Sequence, residues 1–88
     1  MFVILVYDIE EKRVQKVHKI CKKYLTWIQN SVFEGEITEA DLKMLKNELK
    51  KVIDRDYDSI VIYKFKTRMH FDRENLGVKA PSGDDMFF

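Results

Sequence analysis

The sequence predicts an α+β domain whose elements run β-α-β-β-α-β, and three observations carry that prediction. Two short runs dense in β-branched and aromatic residues, Phe2–Tyr7 and Ser59–Phe65, stand far apart in the chain. Between them lie two segments whose apolar residues recur at helical spacing. Between those segments is a stretch rich in strand formers, broken near Gln29-Asn30-Ser31.

The first run, Phe2-Val3-Ile4-Leu5-Val6-Tyr7, has six apolar or aromatic residues in succession and reads as a strand buried on both faces. It ends on Asp8, a carboxylate that such a strand holds at a reproducible place. From spacing alone, Asp8 is open to three readings: a site residue, a solvated strand end, or a helix N-cap. Glu10 to Leu25 follows as a helix with Val14, Val17, His18, Cys21, Tyr24 and Leu25 on one face. Lys12, Lys16, Lys19 and Lys23 stand opposite at spacings of 4, 3 and 4, flanked by Arg13 and Lys22. That stripe spans roughly 16 Å of helix and has the reach to follow several phosphates. An ordinary solvated face is the alternative. The stripe's single sign favours a nucleic-acid contact, because residues 12–23 contain six basic side chains and no acidic one.

Thr26 to Ile37 reads as β structure, either a hairpin or one bent strand, packed by Trp27, Ile28, Val32, Phe33 and Ile37. Gly35 within it suggests a bulge or a close backbone approach. Glu34 and Glu36 share a face and are either solvated or metal ligands. Thr38 then caps a second helix, with Asp41 three residues on and Leu42, Leu45, Leu49, Val52 and Ile53 as its buried stripe. Ser59–Phe65 is the last clear strand. The divisions are a core over residues 1–66, an extension over 67–80 with a possible extra strand around Met69 and Phe71, and a tail over 81–88. Asp84 and Asp85 lie in that tail, where a mobile chain cannot preorganise metal ligands.

This order is the split-βαβ, ferredoxin-like arrangement, an antiparallel sheet with two helices on one face. The helix-free face needs a cover, most simply a second copy. Eighty-eight residues leave a single core near the margin of stability, which points the same way. The lone cysteine, Cys21, cannot form an internal disulfide. The opening apolar run is too short for a membrane span and lacks the basic start of a secretory signal. The expectation is a reduced, cytoplasmic protein without membrane association. With 16 basic and 15 acidic residues, net charge selects no partner.

Three motifs together resemble the second CRISPR-associated protein family, the small adaptation-stage subunit of CRISPR antiviral defence. They are Tyr7-Asp8-Ile9, Gln29-Asn30-Ser31-Val32-Phe33-Glu34-Gly35-Glu36 and Asp58-Ser59-Ile60-Val61-Ile62-Tyr63. The resemblance covers residues 1 to about 66. It implies a homodimer, with a C-terminal strand crossing to the partner's sheet in many members. It also implies two functional accounts. One is a metal-dependent endonuclease acting on single-stranded RNA or duplex DNA. The other is a scaffold for spacer acquisition that holds protospacer DNA between copies of the larger CRISPR integrase subunit.

By position, Asp8 corresponds to the family's metal-binding aspartate, for Mg²⁺ or alternatively Mn²⁺, with Tyr7 beside it as a second catalytic candidate. Arg13 corresponds to a basic residue early in the first helix and joins Lys12, Lys16, Lys19 and Lys23 as nucleic-acid contacts. Phe33 corresponds to the aromatic of the Ser-Val-Phe motif. Trp27 stands where some relatives carry a basic residue, a departure from the pattern.

Phosphodiester hydrolysis needs an activated water and neutralisation of charge on the phosphate. Two Asp8 residues across a dimer axis meet the carboxylate minimum for one Mg²⁺. His18 and Cys21 fall on the core side of their helix and read as packing residues, and His70 lies in the weakly patterned C-terminal part. Two further classes stay open on this fold: a toxin-type RNA interferase and a non-catalytic regulatory or assembly module.

Overall fold

A computed structural model describes residues 1–66 together with 73, 74, 76 and 77. Six elements follow in the expected order: β1 (Phe2–Asp8), α1 (Glu11–Tyr24), β2 (Thr26–Gln29), β3 (Val32–Glu36), α2 (Glu39–Lys50) and β4 (Ser59–Phe65). The strands form one antiparallel sheet in the order β2-β3-β1-β4. This is the ferredoxin-like order, with β1 inside the sheet and β4 at an edge. The expected further strand in 67–80 and the tail in 81–88 fall almost wholly outside the described residues.

Alternation along β1 separates two environments. Val3, Leu5 and Tyr7 point to the helix side, where they meet Phe33 of β3, Val17 and Cys21 of α1, and Leu42, Leu45 and Leu49 of α2. Ile4 and Val6 point to the other side and are only half-buried. Their register partners on β4, Tyr63 and Val61, are 55% and 47% exposed. The sequence expectation of a strand buried on both faces is therefore met throughout on the helix side, and on the other side only at Phe2, which is 2% exposed. Both helices cover the side of Val3, Leu5 and Tyr7, and Ile4, Val6, Val61 and Tyr63 on the other have no comparable layer over them among the described residues.

The break at Gln29-Asn30-Ser31 is a hairpin turn, since Gln29 pairs with Val32 across it. Asn30 takes the left-handed conformation (φ 43°), which a short polar side chain tolerates better than most. The sheet irregularity lies on β2, between Trp27 and Gln29, and not at Gly35. At Gly35 a Cβ would stand 3.4 Å from the Leu25 side chain and 3.8 Å from its Cα, which is ordinary van der Waals contact. Thr38 caps α2 as its sequence context predicts, its Oγ1 accepting a hydrogen bond from the Asp41 N–H at 3.0 Å.

Candidate active site and nucleic-acid interface

Asp8 is the last residue of β1, exposed, and paired in register with Ser59. Alternation places it on the open side of the sheet with Ile4 and Val6. Tyr7, one residue earlier, faces the helices and is 7% exposed. Its hydroxyl lies 3.3 Å from His18 Nδ1. The structure thus separates the two catalytic candidates, because neighbours on a strand point to opposite faces. Burial pushes the Tyr7 hydroxyl above its ordinary pKa, with a smaller contribution from Cys21.

His18 is a packed residue, as its helical position suggested. Its ring meets Trp27 and Phe33 edge-on, at 4.7 and 5.1 Å between centroids. Desolvation, then the charge of Lys22, lowers its pKa. Phe33 is fully buried beneath it. Cys21 is also enclosed, and burial pushes its thiol up to about 12, where it is an inert core atom. A cleft of about 420 Å³ beside the Tyr7–His18 pair is lined further by Val14, Gln15, Lys19 and Lys22.

The strongest polar cluster adjoins Asp8 along the chain. The Asp58 side chain has no exposed surface, and four hydrogen bonds reach its two oxygens. Arg13 donates from Nε at 2.6 Å and from Nη2 at 3.1 Å. The Glu10 N–H donates at 2.9 Å, and the Asp54 N–H at 2.8 Å. Arg13 Nη2 also donates to Glu10 Oε1 at 2.7 Å. The Arg13 hydrogen bonds, helped by the two backbone donors, hold the Asp58 carboxyl well below the usual carboxylate range against the opposing effect of burial. The same Asp58 contact raises the Arg13 guanidinium. Arg13, expected among the nucleic-acid contacts, is thus committed to an internal fork-to-fork ion pair and is only 16% exposed.

Asp58 and Glu10 drew no attention from spacing, because their partner relations span the fold. The available signal was modest. A carboxylate opens the last strand motif, and Glu10 precedes Arg13 at i, i+3.

The lysine stripe runs along the outer surface of α1, on the opposite side of the molecule from the open sheet face. Lys12 lies 3.9 Å from Glu10 Oε1. Lys23 pairs with Glu48 of α2, and the Tyr24 hydroxyl donates to the same carboxylate. Those two hydrogen bonds hold Glu48 below its ordinary pKa. Lys16, Lys19 and Lys22 are exposed and form no ion pair with another described residue. The stripe's single sign in sequence is partly offset in space by acids from other elements. Glu34 and Glu36 share the open face by register. Glu34 is 8% exposed and pairs with Arg73 at 2.5 Å, so it is not a solvated residue.

Among the described residues no group of three or more His, Cys, Asp or Glu is placed to hold a metal. The described residues of one chain therefore offer no enclosed metal cage. A single exposed carboxylate at Asp8 does fit a largely hydrated Mg²⁺, which takes one or two carboxylates and completes its shell with water and phosphate. No helix among the described residues is long and apolar enough to cross a membrane.

Comparison with known proteins bears on this geometry. The family model for CRISPR associated protein Cas2 matches residues 1–73. CRISPR-associated endoribonuclease Cas2 3 of Thermodesulfovibrio yellowstonii is 51% identical over 78 residues, covering 89% of each chain. CRISPR-associated endoribonuclease Cas2 of Thermotoga maritima is 46% identical over 87 residues, covering 99% of this chain and 98% of the relative. A Cas2 crystal structure superposes with a TM-score of 0.85 at 44% identity, over all of this chain and 98% of the other. The structure of Streptococcus pyogenes Cas2 at pH 6.5 gives 0.78 at 35% identity, over 88% of this chain and all of the other.

Proposed function

The chain belongs to the Cas2 family of CRISPR-associated proteins, and from that premise we propose that it is a homodimeric, metal-dependent endonuclease of spacer acquisition. The observation that carries this reading is the open sheet face with Asp8 at its end. Ile4, Val6, Val61 and Tyr63 form an apolar surface of the kind a second copy covers. Two chains packed through it about a two-fold axis bring their Asp8 carboxylates toward one cleft. The relatives' name, endoribonuclease, favours RNA as the substrate cut, and duplex DNA is the second candidate.

Each residue then has a limited task. Asp8 supplies one acidic ligand from each protomer. Mg²⁺, or Mn²⁺ in its place, supplies neutralisation of the charge that builds on the phosphate. Lys16, Lys19 and Lys22 attract the backbone without reading sequence. Tyr7 is a packing residue, its hydroxyl turned to His18 and away from Asp8. The larger CRISPR integrase subunit is the assembly partner in this reading.

A scaffold role without hydrolysis is the second reading. It is favoured by the helix lysines lying away from Asp8, since binding there needs no carboxylate. The test is cleavage of labelled single-stranded RNA and duplex DNA by wild type and Asp8→Asn, each in Mg²⁺, Mn²⁺ and EDTA. Metal-dependent cutting that disappears in the variant supports hydrolysis at Asp8. Equal cutting by both proteins overturns hydrolysis at Asp8, and none by either with binding retained overturns it in favour of the scaffold.

A further inference from the structure

We propose that the Arg13–Asp58–Glu10 clasp positions Asp8 by fixing the end of β1 where the chain leaves the sheet. The inference rests on the reading of Asp8 as the metal-binding carboxylate. The last residue of a strand is ordinarily where pairing frays. Here the chain is held on both sides of that point. Asp8 pairs with Ser59 across the sheet, and two residues further on the Glu10 N–H is tied to Asp58, the immediate neighbour of Ser59. One carboxylate therefore fixes both the exit of β1 and the entry of β4.

Asp58 is itself immobilised. Arg13, in the first turn of α1, grips it with two nitrogens, and the turn before β4 adds the Asp54 N–H. Arg13 closes the circuit by also taking the Glu10 carboxylate. Helix α1 has no side-chain N-cap, so this fork holds the loop at the helix start in place of a cap.

Stability alone is a weak reason for such a group. A buried ion pair loses much of its attraction to desolvation, and apolar residues of similar size serve a core as well or better. A fork-to-fork pair with every Asp58 lone-pair direction engaged does provide a fixed geometry. The Asp58 side chain reaches α1 while Asp8 faces the open side, so the clasp acts on Asp8 through the backbone only. Asp58 and Arg13 are positioning residues that touch neither metal nor substrate.

The experiment compares wild type, Arg13→Lys, an Arg13→Met/Asp58→Leu double variant and Asp8→Asn, at a temperature where circular dichroism shows all four folded. Arg13→Lys keeps the charge but loses the fork, and the double variant removes the ion pair without leaving one partner buried alone. Mn²⁺ binding is read by electron paramagnetic resonance, and the Mg²⁺ midpoint by RNA cleavage. RNA affinity is measured separately in EDTA. Partners that orient a metal ligand from outside typically change metal affinity or activity about 10–100-fold. The expected result is a Mn²⁺ affinity lowered about tenfold and a correspondingly raised Mg²⁺ midpoint in both clasp variants, with RNA affinity in EDTA within about twofold of wild type. Added Mg²⁺ restores cleavage to the clasp variants but not to Asp8→Asn.

Unshifted Mn²⁺ affinity and midpoint in both clasp variants, with Asp8→Asn defective, overturn the positioning role and leave Asp8 standing. An RNA affinity in EDTA that falls with the loss of Arg13 assigns Arg13 to the nucleic acid instead, and also overturns it. Asp8→Asn that binds Mn²⁺ and cuts like wild type overturns the underlying reading of Asp8, and the clasp proposal falls with it.

Discussion

The two faces of the central sheet are built from the same strands and do different work. On the helix side, Leu5, Phe33, Val17 and Leu45 are fully enclosed, and the polar atoms there are matched: Tyr7 with His18, Asp58 with Arg13. On the other side Val61 and Tyr63 stand about half exposed, and β1 ends on an exposed carboxylate. The closed face accounts for why the chain folds. The open face is where the chain has chemistry left to offer. In β1 the two are a single residue apart, since Tyr7 belongs to one and Asp8 to the other.

The largest effect that would sharpen this contrast is at Asp8. Asp8→Asn should abolish metal-dependent cleavage while its thermal melting stays close to wild type. A large drop in melting temperature would move Asp8 into the structural class.

Leu45→Ala should do the reverse. Removing a fully buried side chain from α2 should destabilise the fold by about 2–5 kcal/mol in chemical denaturation. Protein that remains folded should keep its specific activity per folded molecule.

Charge reversal at Lys16 and Lys19 comes next and probes the outer surface of α1. On duplex DNA each phosphate contact contributes roughly 0.9 to the slope of log affinity against log salt, so the double variant should flatten that slope by roughly two. An unchanged slope would exclude that surface as the nucleic-acid track.

The smallest effect is a pH dependence of the clasp. Asp58 has a depressed pKa in the fold, so its contribution is fully present above the ordinary carboxylate range and is lost as pH falls through and below about 4. Arg13→Met should be less stable at neutral pH and should show a shallower acid limb in urea melts. An acid limb identical to wild type would mean that Asp58 does not depend on Arg13.

Much of the fold was legible because it rests on local periodicity. The continuous apolar run of Phe2–Tyr7, the helical spacing of Val14, Val17 and Cys21, and the Thr38 cap are each written within a few residues. The turn at Asn30-Ser31 was ambiguous because it has no glycine, and a left-handed asparagine leaves little trace in sequence. The opposition of Tyr7 and Asp8 follows from strand period alone, yet a motif written as consecutive letters hides it. What local pattern could not show was pairing at a distance. Arg13 looked like one more member of a basic stripe because its partner lies 45 residues away, and Lys23 looked unpaired because Glu48 lies 25 away. A buried carboxylate such as Asp58 becomes visible only when the fold brings α1 and the start of β4 together.

The central claim is that the open face is both the assembly surface and the home of the Asp8 site. The most direct measurement is light scattering and RNA cleavage on one preparation of a Val61→Glu/Tyr63→Glu variant, with circular dichroism confirming the fold. The account predicts a folded monomer that no longer cuts, while wild type is a dimer that does. A variant that remains dimeric, or a monomer that cleaves at the wild-type rate, would contradict it.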